Sequence, residues 1–171
     1  MTCAIAFLAL ASVQPSTATP FCRDYQLVLD QAYRGFRQFR GPLEADNDLG
    51  FDTTYRATLS LPGGTCRVNV TEYTFQYSCT WPHDANDWNG AIAEALALGN
   101  ALGDCSHLHF SPNGDTPNAD NTVWKGMVAH QPGSRVKTEV AAQRYRMSGR
   151  GGGAYKAFIV MRVSYRRETH P

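Results

Sequence analysis

Two short runs of alternating residues, each with a cysteine at its outer end, restrict this chain more than any other feature. Cys66-Arg67-Val68-Asn69-Val70 and Tyr73-Thr74-Phe75-Gln76-Tyr77-Ser78-Cys79-Thr80-Trp81 place apolar side chains at every second position. That is the period of a strand burying one face. A two-residue turn at Glu72-Tyr73 sets Cys66 opposite Cys79, and a one-residue slip would turn every side chain to the wrong face. The expectation is a β-hairpin clamped by a disulfide, formed in an oxidising compartment.

The remaining cysteines follow from that pair. Cys22, Cys66, Cys79 and Cys105 lie beyond residue 18, and Cys3 lies before it. Four cysteines allow about three pairings; with Cys66–Cys79 chosen, Cys22–Cys105 is left. A metal cluster is disfavoured because no Cys-x-x-Cys pair occurs. Ala4 to Ala11 is an apolar stretch of export-signal length, far short of the ~20 residues that span a bilayer. Small residues allow cleavage after Ala18, although no Lys or Arg precedes the stretch. The rival reading, a buried N-terminal helix, is opposed by the abrupt stop at Pro15 and the Ser/Thr cluster. Residues 1–18 are therefore expected to be a signal peptide, 19–166 one domain and 167–171 a frayed tail. The product would be periplasmic or secreted. A mature chain of about 150 residues buries roughly 70% of its unfolded surface, so disulfides would support a core rather than replace one.

Helix one is expected from Pro20 to about Arg40, on the stripe Cys22, Tyr25, Leu29, Ala32, Phe36 and Phe39. An acidic connection follows, then a strand over Thr54–Leu61 and a Pro62-Gly63-Gly64 turn. The cysteine hairpin comes next. Helix two is expected from Ala85 to Cys105, capped by Asp84 and rich in small residues that permit close approach. Strands are expected over Thr122–His130, Arg135–Met147 and Ala154–Arg166. In the last strand Phe158 and Val160 add apolar character to the second face, which suits an interior strand or one with a partly covered back. The order α-βββ-α-ββ(β) gives an α+β fold with two helices on one face of an antiparallel sheet of five or six strands. No internal repeat is visible. The Cys22–Cys105 bridge requires the start of helix one to meet the end of helix two.

This order resembles type III secretion chaperone-like domains, a likeness of architecture alone. The Leu61-Pro62-Gly63-Gly64-Thr65-Cys66-Arg67-Val68 run with Tyr77-Ser78-Cys79-Thr80-Trp81 is similar to a pattern in small bacterial exported proteins. It covers about a third of the chain, and it brings no catalytic residue with it.

Charge gives the functional hint. Residues 1–120 hold 6 basic and 13 acidic side chains, a net −7; residues 121–171 hold 10 and 2, a net +8. Arg135, Lys137, Arg144, Arg146, Lys156, Arg162, Arg166 and Arg167 lie on the last two strands with Tyr145, Tyr155 and Tyr165 between them, and Arg144, Arg146, Arg162 and Arg166 are the candidate contacts. Such a pattern can meet an acidic protein or an anionic envelope component; the plainer reading is solvation or pairing within the chain. Export argues against nucleic acid as a partner.

Other constellations are weaker. His107 and His109 alternate, with Asp104 and Asp115 near in sequence, but a zinc site needs three or four converging ligands. They carry the rival reading, a metal-dependent hydrolase. Glu44, Asp46, Asp48 and Asp52 make an acidic loop whose glycine and distal position miss the calcium-hand spacing. Ser106 beside His107 is mere adjacency. The Gly149 to Gly153 run lacks the Lys-Ser/Thr ending of a phosphate loop, and Asn69-Val70-Thr71 falls inside a strand. The sequence thus points to a small non-enzymatic binding domain with no catalytic residue and no cofactor. A structural or self-associating domain is the third reading.

Overall fold

A computed structural model describes residues 19–46, 52–113, 123–146 and 154–168. Residues 1–18, expected to be a signal peptide, and residues 47–51, 114–122, 147–153 and 169–171 lie outside the described residues.

Helix α1 spans Pro20–Gln31, with the Thr19 hydroxyl accepting from the Cys22 N–H and Pro20 in its first turn. It stops nine residues short of the expected end at Arg40. Gly35 and Phe36 both adopt left-handed backbone, φ 67° and 55°, and 3-10 turns occupy Ala32–Arg34 and Arg37–Phe39. Those turns still deliver Ala32, Phe36 and Phe39 to the core, so the apolar stripe outlives the helix that suggested it.

The sheet has eight strands, not five or six: β1 Arg40–Asp46, β2 Asp52–Ala57, β3 Thr65–Thr71, β4 Thr74–His83, β5 Ser111–Asn113, β6 Val123–His130, β7 Val136–Arg146 and β8 Tyr155–Arg166. The order is β1-β2-β3-β4-β8-β7-β6-β5, and every pairing is antiparallel. The two strands missing from the sequence reading, β1 and β5, are the edges. They contain Pro42 and Pro112, which an edge tolerates because it needs no donor on its outer side. The expected strand over Thr54–Leu61 is β2 and ends at Ala57; beyond it Leu59 and Leu61 pack irregularly under the sheet.

Helix α2, Trp88–Ser106, is capped by Asp87, whose carboxylate accepts from the Gly90 N–H at 2.9 Å. Asp84, the expected cap, instead shapes the preceding turn by accepting from the Asn86 N–H. The small residues do permit close approach: a Cβ on Gly99 would stand 2.8 Å from the Met127 sulfur. Although the sequence shows no repeat, the topology does. A helix followed by a four-stranded meander occurs twice, and the last strands of the two units, β4 and β8, pair at the centre.

Both helices lie on one face. α2 crosses β6, β7 and β8, and Tyr25 of α1 donates to the Thr138 hydroxyl of β7 at 3.0 Å. The core between helices and sheet includes Tyr25, Val28, Phe36, Val68, Tyr77, Leu102, Val140 and Met161, all fully buried. Burying each large side chain contributes about 1.5–3 kcal/mol. The Tyr77 hydroxyl also finds a partner, donating to the Leu59 carbonyl at 2.8 Å, which offsets the cost of burying its polar tip.

Both disulfides form as paired in the sequence reading: Cys22–Cys105 across 83 residues and Cys66–Cys79 across 13. In the chain-entropy account they restrict the unfolded chain by about 4.5 and about 3 kcal/mol. The first bridge joins the start of α1 to the end of α2. The second sits on an in-register cross-strand pair. Its surroundings explain the Leu61-Pro62-Gly63-Gly64 and Tyr77…Trp81 pattern as a structural unit. The Trp81 indole donates to the Pro62 carbonyl at 3.0 Å, and a Cβ on Gly64 would meet its ring at 2.9 Å. Val68 and Tyr77 pair beneath the bridge.

Candidate anion-binding site

Strand parity decides where the basic residues go. Arg144 and Arg146 hold even positions on β7, the side that meets the helices; Arg162 and Arg166 hold positions of β8 on the opposite, helix-free face. The four arginines therefore do not converge. Arg144 pairs with Ala157, nine residues along β8 from Arg166, or roughly 30 Å.

Each has a distinct environment. The Arg144 guanidinium is stacked between Trp88 and Tyr155, 5.0 and 5.1 Å from their ring centroids, and its Nε is buried without a hydrogen-bond partner among the described residues. Arg146 is exposed at the end of β7. Arg162 lies over Trp124 at 4.5 Å. Burial draws its pKa down, and Glu139, its cross-strand neighbour, partly opposes this. Glu139 also pairs with Lys137 at 3.1 Å. Arg166 is exposed, and among the described residues its side chain has no ion-pair partner.

Arg166 borders a groove of about 810 Å³ at the end of the sheet where β8 exits. Thr74, Arg166, Ser164, Lys137 and His130 share its floor because they pair across four successive strands: Thr74 with Arg166, Ser164 with Lys137, Lys137 with His130. The β6–β7 turn adds Ser134 and Arg135, and the β8 exit adds Arg167 and Glu168. That turn is built by Gly133 at φ 67° and by the Gln131 N–H donating to the Val136 carbonyl, which holds Arg135 over the groove. Arg135 and Glu168 form an ion pair at 2.6 Å. Arg167 stacks on Phe75 at 5.0 Å. Arg167 and Glu168, expected in a frayed tail, are held by these contacts. The groove thus sets five basic side chains, counting His130, and three hydroxyls against one carboxylate, which suits phosphate or carboxylate groups. Sequence reasoning singled out Arg166 as a contact, carried Arg135, Lys137 and Arg167 only as members of the same basic run, and missed His130.

The rival sites are less developed. His107 caps α2 in left-handed backbone, φ 57°, and both it and His109 are exposed on a shallow groove of about 560 Å³ beside Asp104. Among the described residues no three His, Cys, Asp or Glu side chains come together to hold a metal. The Ser106 hydroxyl donates to the Leu102 carbonyl, within its own helix. Glu44, from the acidic loop, is engaged by Arg67 and Arg56, whose hydrogen bonds hold its pKa below the usual carboxylate range. Asp48, Asp115 and Gly149–Gly153 lie outside the described residues. The Asn69 amide is tied to Thr54 and Gln76 across the sheet.

Edge pairing, the mark of a self-associating sheet, meets obstacles at both sides. β1 carries Pro42 and two register irregularities, and β5 is three residues long with Pro112; short, proline-bearing, irregular edges resist further pairing.

These features define a disulfide-stapled α+β domain with a basic groove at one end of its sheet. No protein-family model, curated protein or solved structure matches the chain.

Proposed function

We propose that the protein is an exported, non-enzymatic binding domain that engages an anionic partner through the groove at the β8 exit. One observation carries this: Arg135, Lys137, Arg166, Arg167 and His130 converge from three strands and a turn, and among the described residues Glu168 and Glu139 are the carboxylates that pair with them, on Arg135 and Lys137. The leader-like apolar stretch and the two disulfides support the exported part of the reading. Relative to the sequence expectation, the acting surface moves. Arg166 remains in it, Arg144 and Arg162 serve as stacking partners inside the fold, and Arg146 stands at the far end.

Titration with soluble polyglutamate at rising salt tests the reading. The Arg135→Ser/Arg166→Ser double variant should lose at least tenfold in affinity with its melting temperature unchanged. The parent's binding should weaken steeply with salt, as screening shortens the reach of exposed charges. Binding that ignores both the substitutions and the salt would remove the groove from the account.

A further inference from the structure

The groove is one side of a larger rim. Val136 and Phe75 both lie opposite Tyr165, so the β3–β4 turn, the β6–β7 turn and the β8 exit share one end of the sheet. The 3-10 segment reaches the same place from the helix side. Phe75 lines a second groove of about 470 Å³ with Tyr33, Arg34 and Arg37, and a Cβ on Gly35 would touch the Phe75 ring at 3.1 Å. Arg167 links the two sides. It stacks on Phe75, donates to the Thr71 carbonyl at 3.2 Å, and its backbone N–H donates to the Tyr73 carbonyl at 2.8 Å. Tyr33 and Tyr73 stand 56% and 55% exposed on this rim.

We infer that this end of the molecule docks on an anionic lipid surface, an inference that rests on the basic groove being the acting site. A linear acidic segment would fill one groove. The two grooves open on opposite faces of the sheet at the same end, so a surface met end-on, across the turn tips, is the arrangement that brings Arg34 and Arg37 into play together with Arg135 and Arg166. Tyr33, whose hydroxyl accepts from the Arg34 side chain at 2.7 Å, and Tyr73, which shares the β3–β4 tip with Glu72, suit the headgroup level, where an amphipathic ring has one wet and one apolar end. Each basic side chain brought to such a surface raises partitioning about fivefold.

Co-sedimentation with phosphatidylcholine vesicles, with and without phosphatidylglycerol, tests this beside the polyglutamate titration. The parent should bind only the phosphatidylglycerol vesicles, and salt should release it. Arg34→Ser/Arg37→Ser, on the helix side, should lower vesicle binding at least tenfold while leaving polyglutamate binding in the groove intact. Tyr33→Ser/Tyr73→Ser should weaken the vesicle binding that remains at moderate salt. All four positions are exposed or at the rim, and a thermal melt confirms folding. Polyglutamate binding without vesicle binding would assign the end to an acidic protein, overturning the lipid inference and leaving the groove standing. Binding of neither would overturn both. Vesicle binding unaffected by Arg34→Ser/Arg37→Ser would also overturn the inference.

Discussion

The two ends of the β7–β8 ladder carry similar residues and use them in opposite ways. Where α2 begins, Arg144 is wedged between Trp88 and Tyr155 with a buried, unpaired Nε. Where β8 exits, Arg166 stands exposed beside Arg135, Lys137 and Arg167 around a groove. In sequence both arginines belong to one basic run. The difference shows that net charge along a segment does not define a surface. Strand parity assigns each residue a face, and the nearest rings and carboxylates decide whether it holds the fold together or remains available.

Both ends rest on one core, and the largest effect is expected there. Tyr77→Ala should cost about 3–5 kcal/mol in chemical denaturation, the range for emptying a large buried aromatic site. Burial raises the Tyr77 and Tyr25 hydroxyl pKa values above the ordinary one. A folded-state value above the unfolded one means the unfolded chain ionises first. Their contribution is complete below pH about 10 and declines as pH rises beyond it. Melting temperature followed into alkaline pH should fall there in the parent, and less steeply in Tyr77→Phe. A flat profile would contradict the burial.

Arg144 sharpens the contrast with a sign. Arg144→Ala should lose about 1–2 kcal/mol, from two ring contacts and its apolar stem. Arg144→Met keeps the stem volume and removes the unpaired buried Nε, so it should match or exceed the parent in stability. Neither should change anion binding. A stable Arg144→Ala protein that no longer binds polyglutamate would place the acting surface at the wrong end in this account.

The smallest effect belongs to Glu44, on the helix-free face. Its pKa lies below the unfolded value because Arg67 and Arg56 donate to it. Its contribution is present above the ordinary carboxylate range and is lost as pH falls through the folded value. Both partners are largely exposed, so Glu44→Gln should shift the melting temperature only at the edge of detection, and only at low salt. A large shift, or one that persists at high salt, would show a buried network in place of a solvated one.

Much of the fold was legible because local patterns and tertiary demands agree. The alternation around Cys66 and Cys79 fixed the hairpin register, and exclusion then gave Cys22–Cys105. Phe158 and Val160 correctly marked β8 as an interior strand. What was not legible has specific causes. Gly41-Pro42 reads as a helix stop yet opens an edge strand, and Pro112 hid β5 inside a turn-rich connection. The stripe through Phe36 and Phe39 imitated a longer helix because the 3-10 turns point those rings the same way; Gly35 was the one local sign of the break. For the site, the basic run was visible but its division was not. Separating Arg144 from Arg166 requires knowing that Glu139 lies opposite Arg162, and register between distant strands is not written in either strand alone. Lys137, His130 and Arg135 joined the groove through that same pairing.

Two matched variants decide whether the β8-exit end, and not the α2-start end, meets an anionic partner. Arg135→Ser/Arg166→Ser and Arg144→Met/Arg146→Ser each remove two positive charges, so they alter net charge equally. Phosphatidylglycerol-vesicle and polyglutamate binding should fall at least tenfold in the first and stay near the parent value in the second. Equal losses in both, or a greater loss in the second, would contradict the account.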